Sequence, residues 1–211
     1  MKILNDLKYV IMTILLIGGT GTIGKKVAKR LDGDNELIIA GRSSGDIQVD
    51  ITDPESIETL FEKTGPVDAV IVTAGSAPVK PLVDSTNEDF LQGVKSKMMG
   101  QINVALTALN YLNKSGSVTL TSGILSNDPI PQGTILSTIN GAVNGFVTGA
   151  YGEFLQKGFR INVVSPALVE DSADALGDFF PGHTPAKMEH VVDGYEKSLK
   201  TFITGQIINI E

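Results

Sequence analysis

The stretch that decides the fold is TILLIGGTGTIG, residues 13–24. It opens on an almost wholly apolar run, residues 13–17, which two glycines end, as expected of a strand buried on both faces of a sheet. Residues 22–31 follow with apolar side chains at helical spacing and basic side chains on the opposite side. The segment therefore predicts a buried strand, a glycine-rich turn and an amphipathic helix, in that order.

The glycines of this turn have the spacing of a dinucleotide site. Gly19, Gly21 and Gly24 satisfy G-x-G-x-x-G, and Gly18 with the last two also satisfies G-x-x-G-x-x-G. One glycine permits the turn, one lets the backbone approach a pyrophosphate, and one lets the helix lie close to the sheet. Amides at the positive end of the helix then bind the phosphates. We expect the cofactor to contact the whole turn, namely Gly18, Gly19, Thr20, Gly21, Thr22, Ile23 and Gly24; the alternative is a tight turn without a ligand.

The residues after the second predicted strand favour NADP(H) over NAD(H). A site for NAD(H) normally places Asp or Glu there, to bind the ribose 2′-hydroxyl. This chain has Arg42, Ser43 and Ser44 instead. A guanidinium with neighbouring hydroxyls suits a 2′-phosphate. The alternative for Arg42 is a solvated surface side chain.

The rest of the chain alternates between strand and helix patterns, which is typical of right-handed βαβ units. We predict an α/β fold of Rossmann type: a doubly wound parallel sheet of about seven strands, with helices on both faces, in a single domain at 12–211. Residues 1–11 are interpreted as an N-terminal extension without an assigned function. The predicted strands are 13–17, 36–40, 46–50, 67–73, 117–121, 160–165 and 206–210, and the predicted helices are 22–31, 53–63, 87–112 with bends, 132–156 and 185–200.

Composition excludes several classes of protein. The 211 residues carry 17 basic and 24 acidic side chains, a net charge of −7, which disfavours general binding to nucleic acid or to anionic membranes. The chain has no cysteine, so disulfides and thiolate chemistry are excluded. The longest apolar run, residues 9–17, is too short for a membrane span. Asn5, Asp6 and Lys8 interrupt the start of the chain, which disfavours a signal peptide, and we expect a cytoplasmic protein. We predict no metal site, because His183 and His190 have the pattern of surface residues.

Several landmarks in the right order make the chain resemble the short-chain dehydrogenase/reductase family from residue 12 to the end. Besides the turn, these are Val49–Ile51, Thr73–Gly75, Thr121-Ser122, the stretch 160–167 and the final strand. The resemblance implies that Asp50 and Ile51 contact the adenine, that Ala74 and Gly75 line the cofactor site, and that Pro166 and Ala167 lie near the nicotinamide. It also implies that Ser122 is the catalytic serine.

The catalytic half of the family pattern is altered. The family uses Tyr-x-x-x-Lys on the helix after strand five, and residues 136–146 align with the start of that helix. Leu136 then stands at the tyrosine position and Asn140 at the lysine position, and no tyrosine of the chain has a lysine four residues further on. Lys97 stands where the family has an Asn that supports a proton relay. A partly desolvated lysine there would have a pKa suited to acid–base work; the alternative is a side chain that reaches solvent or fixes a backbone carbonyl.

Two functions remain open on these residues. The first is an NADP(H)-dependent oxidoreductase that moves hydride to or from a small carbonyl or alcohol, with Ser122, Lys97 and Asn140 as catalytic residues. The second is an NADP(H)-binding sensor or regulatory protein that has lost catalysis. Ser122 and Lys97 favour the first, and Leu136 and Asn140 favour the second. Gly141, Gly145 and Gly149 form a smooth strip on one helix, which predicts a homodimer or homotetramer, with packing inside one protomer as the alternative.

Overall fold

The computed structural model describes residues 11–211, so the predicted extension at 1–11 lies almost wholly outside the described residues. The strands are β1 (Thr13–Ile17), β2 (Glu36–Gly41), β3 (Ile47–Gln48), β4 (Val67–Val72), β5 (Leu112–Thr121), β6 (Arg160–Pro166) and β7 (Ile207–Ile210). The helices are α1 (Thr22–Leu31), α2 (Pro54–Thr64), α3 (Asn87–Gly93), α4 (Gly100–Ala108), α5 (Thr134–Gln156), α6 (Ala173–Leu176) and α7 (Met188–Lys200). A π-helical segment, Val94–Met99, joins α3 to α4 without a break.

The seven strands form one parallel sheet in the order β3-β2-β1-β4-β5-β6-β7, which confirms the predicted Rossmann-type fold. The chain builds the sheet outward from β1 in one direction and then, from β4 onward, in the other. At such a reversal the loops after β1 and β4 separate and leave a crevice at the carboxyl edge of the sheet. The crevice is where a ligand is expected.

Burial on both faces of β1 explains its continuous apolar sequence. Leu15 and Ile17 pack into a core cluster with residues of α2, α4 and α5, whereas Ile14 and Leu16 pack into a second cluster with α1 and α7. All four are at most 1% exposed. The helices therefore cover both faces of the sheet, as the sequence predicts.

Some predicted boundaries were wrong. The long helical stretch does not reach residue 112, because α4 ends at Ala108 and β5 already begins at Leu112. Leu112 pairs with Val67, and the register then shifts so that Ser117 pairs with Ala69. The residues between these two pairs are polar, so the sequence pattern did not indicate that β5 begins at Leu112. Among the described residues, no helix combines the length and the apolar character that a membrane crossing requires.

Candidate cofactor and catalytic site

The glycine-rich turn between β1 and α1 packs too closely for side chains. Gly18 has a φ of +85°, and a Cβ there would lie 2.9 Å from the backbone of Thr73 and Ala74 on the neighbouring loop. A Cβ at Gly24 would overlap the carbonyl oxygen of Gly18 and lie 2.8 Å from the Cα of Gly19. The first glycine is therefore required by the turn and its neighbour, and Gly24 by the approach of α1 to the turn.

The N-terminus of α1 differs from those of the next two helices. Asp53 caps α2 by accepting a hydrogen bond from the amide of Glu55, and Thr86 and Asp89 form a capping box on α3. Within residues 11–211, α1 has neither a side-chain cap at Gly21 nor an acidic residue in its first turn. Its first amides, at the positive end of the helix, are therefore free for an anion.

Gly21, the residue just before α1, lines a cleft of about 330 Å³ at the ends of β1, β2 and β4. The cleft brings together much of the predicted cofactor site, since it is lined by Gly18, Thr20, Gly21, Arg42, Ser43, Ile51, Ala74 and Gly75, together with Ser76 and Ser96. The remaining predicted residues, Gly19, Thr22, Ile23 and Gly24, are not among those that line this cleft. Residues distant in sequence thus form one concave surface where the topology predicts a ligand.

Arg42 also lines an adjoining cavity of about 750 Å³, where Lys95 lies as well. Asp50 is close enough to Arg42 and Lys95 to be affected by both charges. Hydrogen bonds from the backbone and side chain of Thr52, and then the charges of Arg42 and Lys95, hold the pKa of Asp50 below its usual value. The sequence did not reveal Lys95, because an exposed lysine on a helix carries no local signal of a site.

Lys97 lies against the end of β5. Gly75, with a φ of +113°, lets the loop after β4 approach the π-helical segment, and a Cβ on Gly75 would lie 2.8 Å from the Cα of Lys97. The Nζ of Lys97 donates a 2.8 Å hydrogen bond to the carbonyl oxygen of Ser122. Burial lowers the pKa of Lys97 to about 8, while the residue keeps partial exposure. Lys97 thus fixes a backbone carbonyl, as the second alternative describes, and its acid–base role stays a prediction.

Ser122 and Asn140 each present a buried polar atom without a partner. The Oγ of Ser122 and the Oδ1 of Asn140 accept or donate no hydrogen bond among the described residues, although the two residues are 3% and 2% exposed. They are neighbours through Gly123, whose Cβ would lie 2.8 Å from the Nδ2 of Asn140. Buried polar atoms are nearly always satisfied in folded proteins. These two atoms, like those of Ser137, Asn144 and Ser165, therefore have hydrogen-bonding capacity left for a ligand or a water molecule.

The position of the family's tyrosine has become apolar. Leu136 packs against a small cluster formed by Ile124, Leu125 and Ile130, with Ala167 and Phe180 also in contact with the cluster. Ala167 additionally lines a separate cavity of about 460 Å³ with His183 and Asp128, and Pro166 ends β6 nearby. At this position Leu136 has no group that could donate a proton.

The two histidines lie beside different carboxylates. His183 lies 3.5 Å from Asp128, and His190 lies 3.8 Å from its neighbour Glu189. In residues 11–211, no three His, Asp or Glu side chains are grouped as metal ligands.

The sequence also did not reveal Gln101. This residue of α4 is fully buried, and its side-chain amide bonds the backbone at Thr121 and Lys97. No motif marks it, because the strand end that it contacts is distant in sequence.

Comparisons with known proteins agree with this geometry. The family model described as enoyl-(acyl carrier protein) reductase matches residues 23–192. Protein lin1944 from Listeria innocua has a crystal structure with a TM-score of 0.92 and 44% identity, over 95% of this chain and 100% of that chain. A small-chain dehydrogenase in complex with NADPH has a TM-score of 0.84 and 27% identity, over 96% of this chain and 97% of that one.

Curated relatives give the same assignment. Hydroxynaphthalene reductase arp2 of Aspergillus fumigatus is 30% identical over 134 residues, which is 62% of this chain but only 49% of that reductase. The 3-oxoacyl-[acyl-carrier-protein] reductase MabA of Mycobacterium tuberculosis is 24% identical over 96% of this chain and 92% of its own length. The chain belongs to the short-chain dehydrogenase/reductase family of oxidoreductases.

Proposed function

We propose that this protein is an NADP(H)-dependent oxidoreductase that transfers hydride to or from a small carbonyl or alcohol substrate. The observation that carries the proposal is the cleft itself: a turn packed too tightly for side chains, which leads into a helix without a side-chain cap, lines one concave surface together with Arg42 and Ser43. The NADPH complex of a dehydrogenase that is 27% identical supports the same cofactor.

The residues present fit this cofactor. The turn from Gly18 to Gly24 would hold the pyrophosphate, and Asp50 and Ile51 the adenine. Arg42 and Ser43 would hold the 2′-phosphate through charge-assisted hydrogen bonds. Ala74, Gly75, Pro166 and Ala167 would continue the site toward the nicotinamide. When bound, NADP(H) supplies or accepts the hydride at a substrate carbon.

The remaining chemistry falls to Ser122, Lys97 and Asn140. The unpartnered hydroxyl of Ser122 would donate a hydrogen bond to the substrate oxygen and polarise the carbonyl. Reduction adds one proton to that oxygen, and the Lys97 ammonium is a suitable source, since its pKa of about 8 lies close to neutral pH. Asn140 would orient the ribose or a water molecule through its free Oδ1.

A second function is favoured by the apolar cluster around Leu136. Because this cluster fills the position of the family's proton-donating tyrosine, a protein that binds NADP(H) without turnover is the competing candidate. Such a protein would act as a sensor or regulator of the cofactor.

We also propose a homodimer or homotetramer. Gly141, Gly145 and Gly149 lie along one exposed side of α5, and a Cβ at any of them would meet open space in the single chain. The strip is therefore not used for packing within the described part of the protomer. This favours an approaching helix of a second copy over internal packing.

Oxidation of NADPH in the presence of a panel of small aldehydes and ketones tests the proposal. We expect steady turnover with at least one substrate class, strong loss of kcat in Ser122→Ala and Lys97→Met, and NADPH affinity close to that of the wild type in both. Wild-type protein that binds NADPH tightly but oxidises it with no carbonyl would contradict the enzyme and support the sensor.

A further inference from the structure

Gln101 is a fully buried polar residue in the first turns of α4. Its side-chain amide makes three hydrogen bonds to backbone atoms. The Oε1 atom accepts from the amide of Thr121 at 2.7 Å, and the Nε2 atom donates to the carbonyl oxygen of Thr121 at 2.8 Å and to that of Lys97 at 3.2 Å. One side chain thus joins the end of β5 to the helix that carries Lys97.

At Thr121 the side chain of Gln101 makes the hydrogen bonds that a neighbouring strand would otherwise make. The amide of Ser122 donates to Val164 on β6, so the preceding residue, Thr121, directs its own amide and carbonyl to the opposite side. On that side β4 has already ended at Val72. Two buried backbone groups would therefore lack partners, which is strongly unfavourable. The carboxamide of Gln101 has the donor and acceptor of a peptide group and satisfies both.

The hydrogen bond from Gln101 to Lys97 connects Lys97 to the end of β5 a second time. Gln101 holds the main chain of Lys97, and the Nζ of Lys97 reaches the carbonyl oxygen of Ser122, the residue next to Thr121. On its other side, the backbone of Lys97 is packed against Gly75. The π-helical segment and the end of β5 are therefore fixed at two adjacent points, 121 and 122.

We propose that Gln101 is a positioning residue, which holds Lys97 at the end of β5 so that its Nζ stays desolvated against Ser122. The positioning of Lys97 does not depend on the proposed function; only the effect of Gln101 on catalysis rests on it. Without the Gln101 hydrogen bonds, the two segments separate, water reaches the ammonium group, and Lys97 regains an ordinary lysine environment.

Chemical labelling of lysines as a function of pH tests this without any substrate. An acylating reagent reacts with the neutral amine, and peptide mass spectrometry gives the ratio of labelled Lys97 to labelled Lys95, an exposed lysine two residues away. For the wild type we expect a labelling midpoint for Lys97 near its pKa of about 8. In Gln101→Met, which keeps the size but removes the hydrogen bonds, the midpoint rises and the ratio at pH 8 falls by roughly tenfold or more.

Ser198→Ala is the matched control. It removes a buried hydroxyl that contacts Thr119 on the same strand at 2.7 Å but touches neither Gln101 nor Lys97. We expect this variant to lose stability and to keep the wild-type midpoint of Lys97. A folded Gln101→Met protein with an unchanged midpoint would overturn the proposal, and so would an equal shift in Ser198→Ala.

A second variant covers the case in which Gln101→Met does not fold. Gln101→Glu has the shape of Gln, and it donates a hydrogen bond only when its carboxyl group is protonated. The ratio of its kcat to that of the wild type is therefore expected to rise as the pH falls, at unchanged NADPH affinity. A ratio that does not depend on pH would overturn the positioning role. Absence of turnover in the wild type would instead contradict the proposed function, and the labelling midpoints of Lys97 in the wild type and in Gln101→Glu would still decide the role of Gln101.

Discussion

Replacement of Lys97 by methionine is expected to change how the stability of the fold depends on pH. The pKa of Lys97 is lowered from 10.5 to about 8 because burial disfavours the charged ammonium. The folded state therefore binds fewer protons than the unfolded state between these two values, so the free energy of unfolding rises with pH in that window. Below the folded pKa both states are protonated, and the full penalty for burying the charge, about 3 kcal/mol at most, is present.

Urea unfolding at several pH values measures this effect. Between pH 7 and pH 9.5 the wild type should gain about 2 kcal/mol of stability relative to Lys97→Met, because the variant has no ammonium to deprotonate. The control Lys95→Met removes an exposed lysine from the same segment and should follow the wild-type curve. If wild type and Lys97→Met change in parallel over this range, Lys97 is not desolvated, and the reasoning about its acid–base role is refuted.

Three further predictions concern the cofactor site and the core. Arg42→Ala should weaken NADPH binding by about 1.5–3 kcal/mol and leave NADH binding unchanged in titration calorimetry, because only the 2′-phosphate needs the guanidinium; an equal loss for both cofactors would contradict the assignment. Gly24→Ala should abolish the rise in NADPH fluorescence on binding, since its Cβ runs into Gly18, whereas Gly141→Ala, where the space is open, should bind normally. Tyr195→Phe should lower the free energy of unfolding by about 1 kcal/mol, because it removes a buried 2.7 Å hydrogen bond to Thr121; unchanged urea denaturation would show that this bond does not stabilise the fold.

The order of strands and helices was predictable from the sequence because β1 and α1 carry unambiguous patterns. The apolar run at 13–17 is buried on both faces, and the glycines that end it are required by close backbone contacts. Where local patterns were ambiguous, the predicted boundaries differ from the observed ones. Strand β3 covers only Ile47–Gln48. The start of β5 is polar, so its sequence does not indicate that it pairs with β4. Strand pairing is decided by neighbours in space, which a local pattern does not contain.

The cofactor half of the site was more predictable than the catalytic half. The turn, Arg42 and Gly75 lie at strand ends that parallel topology brings to one edge, so their convergence follows from the order of elements. The hydrogen bonds of Gln101 depend on the π-helical segment, and no pattern of residues in the sequence predicts that segment. Likewise, the depressed pKa of Lys97 depends on how deeply this segment lies against β5, which only the packing determines.

The most direct test of the account is a calorimetric titration of the wild-type protein with NADPH and, in parallel, with NADH. The account predicts saturable binding of NADPH with one site per chain and clearly weaker binding of NADH, because only NADPH carries the 2′-phosphate that Arg42 and Ser43 would bind. Absence of binding for both would contradict the central claim and leave only the fold, and tighter binding of NADH than of NADPH would contradict the cofactor assignment.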